Sequence, residues 1–305
     1  MTFRYAVLIV LAACFAADAA EITAEKSDAG AVVKIDGKPF AEYVIDSSGK
    51  PIVWPIIGPT GKPMTRSWPM AEAPDEKRDH PHHRSLWFTH GDVNKLSFWH
   101  KETTKHREFV KIESGRQAVI VARNDWLGRD GKTVCEDERT LTFGTDGDAR
   151  WIDFDITIKA AGAPVKFGDT KEGTMGVRVP GTMKVDAGKG GKIINSEGQT
   201  DRNAWGKQAA WVDYHGPVDG ETLGIAILNH PSSFRFPTYW HVRTYGLFAA
   251  NPFGLHHFKR GSADGSHTLQ PGETMTFRYR ILFHRGDEKQ GKVAEAFSAY
   301  EKMEK

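Results

Sequence analysis

The stretch "DHPHHRSLWFTHG" at 79–91 places four histidines, an aspartate and an arginine within thirteen residues. Imidazole titrates near neutrality and its neutral form binds metals, so clustered histidines suit proton transfer or metal ligation. Pro81 cannot donate a ladder hydrogen bond, so we expect 79–83 to be a loop or edge that leads into a strand. Histidines at such an edge can also be hydrogen-bonded structural residues, and this alternative stays open.

A strand over 84–90 would alternate its side chains between two faces. One face would carry Arg84, Leu86, Phe88 and His90, and the other would carry Ser85, Trp87 and Thr89. Histidines this close in sequence converge on one ion only where the loop folds back, and the spacing matches no zinc motif cleanly. We therefore predict no cofactor, with a divalent metal held by His80, His82 and His230 as the weaker alternative.

Similar polar groups recur beside aromatic residues in three later segments, "GDTKEGTMGVRVP" (168–180), "ILNHPSSF" (227–234) and "YWHVRTYGLFAANPFG" (239–254). Charged side chains on apolar strand faces are costly unless they are paired or wet. We therefore expect these segments to line one polar groove. Arginine offers a planar fork for a carboxylate or vicinal hydroxyls, and aromatic rings offer platforms for a sugar.

Within this groove, histidine and glutamate side chains are the candidates for proton transfer, and arginine and amide side chains are the candidates for holding substrate. The predicted catalytic residues are His82, His83, Glu172, His230 and His241. The predicted substrate-binding residues are Arg84, His90, Arg178, Arg243 and Asn251.

The elements that must position these residues are antiparallel strands. Turn signals separate apolar-rich runs at Asp36-Gly37, Ser114-Gly115 and Asp146-Gly147, and their spacing leaves no room for helical crossovers. Strands over this length must stack into a β-sandwich. The final run "DEKQGKVAEAFSAYEKMEK" repeats apolar residues at three- and four-residue steps and predicts one C-terminal helix. The run at 267–287 also resembles the closing strands of galactose-mutarotase-like supersandwiches.

The first twenty residues have the basic start, apolar stretch and small residues of an export signal. "LAAC", which ends at Cys14, resembles a bacterial lipobox, so a lipid anchor is an alternative to cleavage near Ala20. We expect 21–305 to be a single β-sandwich domain, exported to the periplasm or beyond, with membrane attachment only through that anchor. Basic and acidic residues, 41 against 39, are interleaved, which argues against a nucleic-acid partner.

The blocks "DHPHHRSLWFTHGDVNKLSFW", "KEGTMGVRVP" and "NHPSSFRFPTYWHVRTYGLFAANPFG" resemble the bacterial DUF6807 family. The resemblance covers roughly residues 30–300 and implies a secreted protein, often encoded near sugar-degrading enzymes, with no established reaction. The residues that match its motif are His80, His82, His83, Arg84, His90, Glu172, Arg178, His230, His241, Arg243, Asn251 and His256. Family members often carry a PmoA methane oxygenase label, but such a subunit needs several spanning helices that this sequence lacks after its signal.

Three functional hypotheses follow. The first is an exported enzyme that acts on a sugar or sugar acid by acid–base chemistry, as an isomerase, lyase or hydrolase. A retaining glycosidase needs two close carboxylates, whereas the groove offers Glu172 first and Asp79 second, so hydrolysis by that route is less favoured. The second hypothesis is a non-catalytic, lectin-like binding module, and the third is a metal-dependent enzyme that uses the clustered histidines.

Overall fold

The computed structural model describes residues 20–73, 76–259, 261 and 263–305. The predicted signal and its lipobox ending at Cys14 fall almost entirely outside these residues, so export and the lipid anchor stay predictions. The strands are, in chain order, β1 (Ile22–Lys26), β2 (Gly30–Ile35), β3 (Lys38–Val44), β4 (Ile52–Ile56), β5 (Leu86–His90), β6 (Thr103–Glu113), β7 (Ala118–Leu127), β8 (Thr133–Asp146), β9 (Ala149–Ala160), β10 (Val165–Phe167), β11 (Gly173–Arg178), β12 (Lys192–Asn195), β13 (Trp211–Val218), β14 (Glu221–Asn229), β15 (Tyr239–Val242), β16 (Leu247–Asn251), β17 (His267–Leu269) and β18 (Thr274–Arg285). The helices are α1 (Leu255–Lys259) and α2 (Val293–Tyr300).

Two eight-stranded sheets form the sandwich. The first sheet has the order β1-β2-β3-β4-β5-β11-β16-β15, and the second has the order β12-β13-β14-β18-β9-β8-β7-β6. Strands β10 and β17 form a separate pair. The strand pairs run antiparallel in both sheets, which confirms the predicted antiparallel β-sandwich with a C-terminal helix. The short helix α1 is an addition to that prediction.

The hairpins form where the sequence supplies residues that accept a left-handed backbone. Asp36 and Gly37, between β2 and β3, have φ of 48° and 73°. This conformation is required at both centres of a tight two-residue turn, and an Asp-Gly pair adopts it readily. In the turn from β8 to β9, the first central residue, Gly147, takes a left-handed φ of 55°. The turns therefore fix the register that sends alternate side chains inward.

Aromatic and branched apolar side chains fill the space between the two sheets. Phe88 of the first sheet packs against Phe277 of the second, with ring centroids 5.2 Å apart, and both side chains are fully buried. Strand β7 alternates buried and partly buried residues along its whole length, as a strand with one inward face should. The inward faces thus form one continuous core.

The outward faces of the two sheets differ. Helix α2 packs on the outer face of the second sheet, where Val293 and Tyr300 join a cluster with Trp151 and Leu228. The outer face of the first sheet carries a separate cluster around Trp87, which loop residues including Trp99 complete. None of the described helices is long and apolar enough to cross a membrane.

Candidate functional site

The candidate site lies on the outer face of the first sheet, above four strands that meet in one row. Trp87 of β5 pairs with Gly176 of β11, Gly176 pairs with Ala249 of β16, and Ala249 pairs with His241 of β15. A Cβ atom at Gly176 would lie 2.6 Å from the indole ring of Trp87, so only glycine admits the indole here. Gly176 and Ala249, the two central residues of the row, have little or no side chain, so larger side chains from elsewhere can occupy the space above them.

The "DHPHH" segment folds over this row as part of a column of stacked rings. Tyr245 stacks on His80 at 5.3 Å, His80 on His83 at 4.8 Å, and His83 on Trp87 at 5.4 Å, with interplanar angles of 6°, 6° and 19°. His82 meets His83 edge-on at 4.5 Å. The three histidines of this loop therefore belong to one surface, with His83 buried and His80 and His82 nearer its rim.

Asp79 anchors the loop to the sheet through two arginines. Its Oδ1 accepts hydrogen bonds of 2.8 Å from Nη1 of Arg66 and 2.8 Å from Nη2 of Arg178. Arg66 also donates to the backbone carbonyls of His80 and His83. Burial alone would raise the pKa of Asp79, but Arg178, together with His80 and Arg66, holds that pKa below its usual value. The carboxylate is thus ionised, and both arginines hold the same oxygen, Oδ1.

Arg178 also fixes the protonation of His83. Its Nη1 lies 3.2 Å from Nδ1 of His83, and because a guanidinium only donates, that nitrogen must accept. Burial lowers the pKa of His83 well below its ordinary value, and the nearby His82 and Arg178 lower it further. His83 is therefore a neutral imidazole with its proton on Nε2.

Lys50 is an uncommon feature of this face. Its side chain is only 3% exposed, and its ammonium donates to the backbone carbonyl of Trp99 at 2.8 Å. Burial, with a contribution from Arg84, lowers the pKa of Lys50 to about 7. Burial lowers the pKa of His82 to about 3, and the neighbouring His100 and Lys50 add to this effect. The rings of His82 and His100 are 4.4 Å apart.

Glu172 and His241 bring the opposite end of the row into the same electrostatic environment. Lys171 donates to Oε1 of Glu172 at 2.8 Å, and its carbonyl oxygen lies 2.6 Å from Nδ1 of His241, which must donate. Burial lowers the pKa of His241 to about 4. Burial would raise the pKa of Glu172, but the Lys171 hydrogen bond and the charges of His241 and His100 lower it. The pKa of Glu172 therefore depends both on His241 and on His100, which lies beside the histidine loop.

The cations on this face differ in how they are paired. Arg66 and Arg178 share Asp79, and Lys171 pairs with Glu172. Among the described residues, no ion pair joins Lys50, Arg84 or Arg243 to a carboxylate; Arg84 donates only to the hydroxyl of Ser47.

Arg243 occupies an aromatic setting at the end of β15. Its guanidinium lies 5.7 Å from the ring of Trp205 and 5.6 Å from the ring of Tyr245. These three side chains line a cleft of about 430 Å³ together with Arg202 and Asp186. The cleft adjoins the ring column through Tyr245, so an anionic group could enter beside the histidines.

Two of the predicted substrate-binding residues lie differently from expectation. Strand β5 begins at Leu86, because Ser85 has a left-handed φ of 53° and its hydroxyl donates to the carbonyl of Val53. Arg84 therefore does not share a strand face with Leu86. His90 does share that face, but the face points into the core, where His90 packs on Phe253.

The structure separates His230 from the other predicted catalytic residues. His230 follows β14 of the second sheet, its ring packs against Tyr300 of α2, and its Nε2 lies 3.1 Å from the carbonyl oxygen of Met303. That surface is the outer face opposite the ring column. The alternative metal set of His80, His82 and His230 is therefore not assembled.

Asn251 and His256 lie beyond the ring column. The amide of Asn251 donates to the carbonyl of Thr170 and accepts from the backbone N–H of Phe253, which is a structural role. His256 is exposed on α1.

Sequence reasoning also missed Lys50, His100 and Arg66. Only His100 had a signal, because it directly follows the quoted block that ends at Trp99.

Comparison with known proteins identifies the family. A model described as "Family of unknown function (DUF6807)" matches residues 30–298. The chain belongs to the DUF6807 family. This match confirms the resemblance seen in the three sequence blocks. None of the curated proteins compared matches the chain.

Several solved structures are similar at low identity. The α-galactosidases from Geobacillus stearothermophilus and Lactobacillus brevis each align at 10% identity over 88% of this chain, with TM-scores of 0.38 and 0.40. The alignment spans only 40% of either galactosidase chain. A galactose mutarotase related enzyme from Lactobacillus acidophilus aligns at 10% identity over 88% of this chain and 96% of its own, with a TM-score of 0.29. Nothing about function follows from likenesses at these TM-scores.

The placement of His90 predicts a pH-dependent stability. Burial lowers the pKa of His90 to about 4 from 6.5, so the unfolded chain binds more protons between these values and stability falls as the pH drops from 6.5 to 4. His90→Gln keeps a donor for the carbonyl of Gly168 but cannot titrate. Between pH 7 and pH 4 it should lose about 3 kcal/mol less unfolding free energy than the wild type, measured by urea denaturation.

The matched control is His256→Gln, which changes an exposed histidine and should follow the wild-type pH dependence. If His90→Gln also followed the wild-type curve, His90 would not be held neutral in the core.

Proposed function

We propose that this protein is an enzyme that acts by acid–base chemistry on a carbohydrate carrying a carboxylate. The observation that carries the proposal is the juxtaposition, on one face, of neutral imidazoles and Glu172 with Lys50, Arg84 and Arg243, for which the described part of the chain supplies no carboxylate within ion-pair distance. Burial of unpaired cations is costly, and a bound anion would offset that cost. Stacked aromatic rings beside them suit the apolar face of a sugar.

The proton acceptors would be His82 and Glu172. Burial lowers the pKa of His82 to about 3, so its imidazole is neutral and can accept a proton, but as a weak base. Glu172 is ionised and only partly covered, with 24% of its side chain exposed, so substrate could reach it. His241 would orient the Glu172 end of the site, because its Nδ1 is held by the carbonyl of Lys171.

Lys50 would supply the proton or the positive charge. With a pKa of about 7, Lys50 changes charge near neutrality, whereas the pKa values of His82, His83 and His241 are depressed. An ammonium in this position could protonate a departing or developing oxyanion, or bind the substrate carboxylate. Either role requires Lys50 to be charged when substrate is bound.

Hydrolysis through two carboxylates is not favoured by this geometry. Asp79, the second carboxylate, is held by both Arg66 and Arg178, and it is not available to attack a sugar. Proton abstraction beside a carboxylate, as in an isomerase or a β-eliminating lyase, needs only a base, an acid and a cation that stabilises the developing charge. The residues named above provide these three functions.

A lectin-like binding module is the second candidate, and the placement of Arg243 favours it. An arginine held between Trp205 and Tyr245 recognises an anionic sugar without any chemistry. The two candidates differ in whether His82 and Glu172 affect turnover or only affinity.

Replacement of the proposed acceptors should remove turnover without unfolding the protein. His82→Asn and Glu172→Gln are each expected to lower kcat by about 10²–10⁴-fold, because each removes a proton acceptor. Unfolding free energy should change by no more than about 1 kcal/mol, since both side chains are partly exposed. Turnover of uronic-acid oligosaccharides is followed by proton NMR and by the absorbance of unsaturated uronates, beside neutral oligosaccharides of the same size.

His230→Asn and His256→Asn are the matched controls, because they replace histidines outside the site. Full activity in His82→Asn and Glu172→Gln would contradict the proposed roles. Tight binding of uronates without turnover by the wild type would favour the lectin-like candidate.

The rate should depend on pH through Lys50. If the ammonium form is required, kcat/KM falls as the pH rises through about 7, the pKa of Lys50 in the folded protein. Lys50→Arg should move that fall to higher pH, and Lys50→Met should abolish activity at every pH. The exposed Lys207→Met is the control. A wild-type profile that stays flat from about pH 6 to 9 would rule out this role for Lys50.

A further inference from the structure

A second cluster of titratable groups lies on the outer face of the second sheet, away from the site proposed above. His215 of β13 pairs with Gly224 of β14, and Gly224 pairs with His284 of β18, so the two histidines stand in one row with a glycine between them. A Cβ atom at Gly224 would lie 2.1 Å from the ring of His284. The glycine therefore lets the His284 ring lean across the row toward Asp213, two residues before His215.

Asp213 is the fully buried centre of this cluster. Its Oδ1 lies 2.6 Å from Nδ1 of His215, and its Oδ2 accepts a hydrogen bond of 2.7 Å from Nε2 of His284. Glu288, on the segment between β18 and α2, places Oε2 3.9 Å from the same Nδ1 of His215. One ligand atom from each of Asp213, His215 and Glu288 lies within 4.8 Å of the other two.

The carboxylates of the cluster are bound unequally. Oδ2 of Asp213 is held by Nε2 of His284 at 2.7 Å, and Nδ1 of that ring lies 3.1 Å from the carbonyl oxygen of Arg285. Glu288 is only 15% exposed, yet in the described part of the chain its carboxylate accepts no hydrogen bond. Its Oε2 faces Nδ1 of His215 across 3.9 Å, which is wider than a hydrogen bond.

We propose that Asp213, His215 and Glu288 bind one divalent transition-metal ion of the zinc class. Imidazole and carboxylate together suit zinc, which takes nitrogen and oxygen ligands at about 2.0–2.2 Å in a tetrahedral arrangement. The imidazole proton of His215 moves from Nδ1 to Nε2, which frees Nδ1 for the metal with no change in charge. His284 holds the other oxygen of Asp213 and orients that carboxylate toward the ion.

Such an ion would fasten the segment 286–292 to the sheet. This segment leads directly into α2, and Gly291 lies against the ring of His284. A cation that binds only the folded chain stabilises it by mass action. The proposal is independent of the proposed reaction on the first sheet.

The test uses the full mature chain, purified without a histidine tag and dialysed against EDTA. Isothermal titration with zinc chloride should give one tight site per chain, and zinc should raise the melting temperature whereas magnesium chloride should not. Glu288→Gln and His215→Asn should each weaken zinc affinity at least about 100-fold, since even residues that only orient a ligand typically contribute 10–100-fold.

Glu295→Gln, an exposed glutamate of α2, is the matched control and should bind zinc like the wild type. His82→Asn separates this cluster from the histidines of the first sheet. Zinc binding that survives Glu288→Gln and His215→Asn, or that is lost in His82→Asn, would overturn the assignment. So would the absence of any zinc site in the wild type.

Discussion

The candidate site depends on the Asp79 carboxylate held between Arg66 and Arg178. Arg66 precedes the histidine loop and Arg178 ends β11 of the first sheet, so one carboxylate joins the loop to the sheet. Removing one partner of a buried ion pair typically costs about 3–5 kcal/mol, and Asp79, with 18% of its side chain exposed, should lie near the lower end. Without this anchor, the rings of His80 and His83 would have no fixed position above Trp87.

Burial of this loop then decides which groups can transfer protons. Imidazoles taken out of water next to cations lose their charge, so His82, His83 and His241 are neutral at physiological pH. The same desolvation lowers the pKa of Lys50 to about 7. Clustered histidines suggest groups that titrate near pH 7, but burial moves the pKa values of His82, His83 and His241 below that range and brings the pKa of Lys50 to about 7. In the proposed site these three histidines therefore act as neutral hydrogen-bonding groups.

Local sequence signals predicted the strands and turns well, because Asp-Gly turns and alternating apolar residues act over a few residues. These signals predicted less well which face of a strand points into the core. The alternation of Leu86, Phe88 and His90 was right, but nothing local shows which face meets the core. The left-handed backbone at Ser85, which removes Arg84 from the strand, also has no clear signal.

Long-range pairing accounts for the remaining differences. His230-Pro231 resembles His80-Pro81 in sequence, yet β14 pairs with β18 in the second sheet and carries His230 to the opposite surface. Lys50 belongs to no motif, and it joins the site because Ile52, two residues later, pairs with Trp87. Both facts follow from the order of strands in the sheets, which local patterns do not encode.

The proposed function requires the outer face of the first sheet to bind an anionic sugar. In the part of the chain that the structure describes, the indole N–H groups of Trp87 and Trp99 are buried beneath this face without hydrogen-bond partners, so their chemical shifts should respond when a ligand packs above them. Nitrogen-15 NMR of the indole signals, assigned by Trp→Phe variants, should show Trp87 and Trp99 shifting on titration with glucuronate or galacturonate. The corresponding neutral hexoses should have much weaker effects. Equal shifts with neutral and anionic sugars, or shifts confined to Trp151 on the second sheet, would contradict the account.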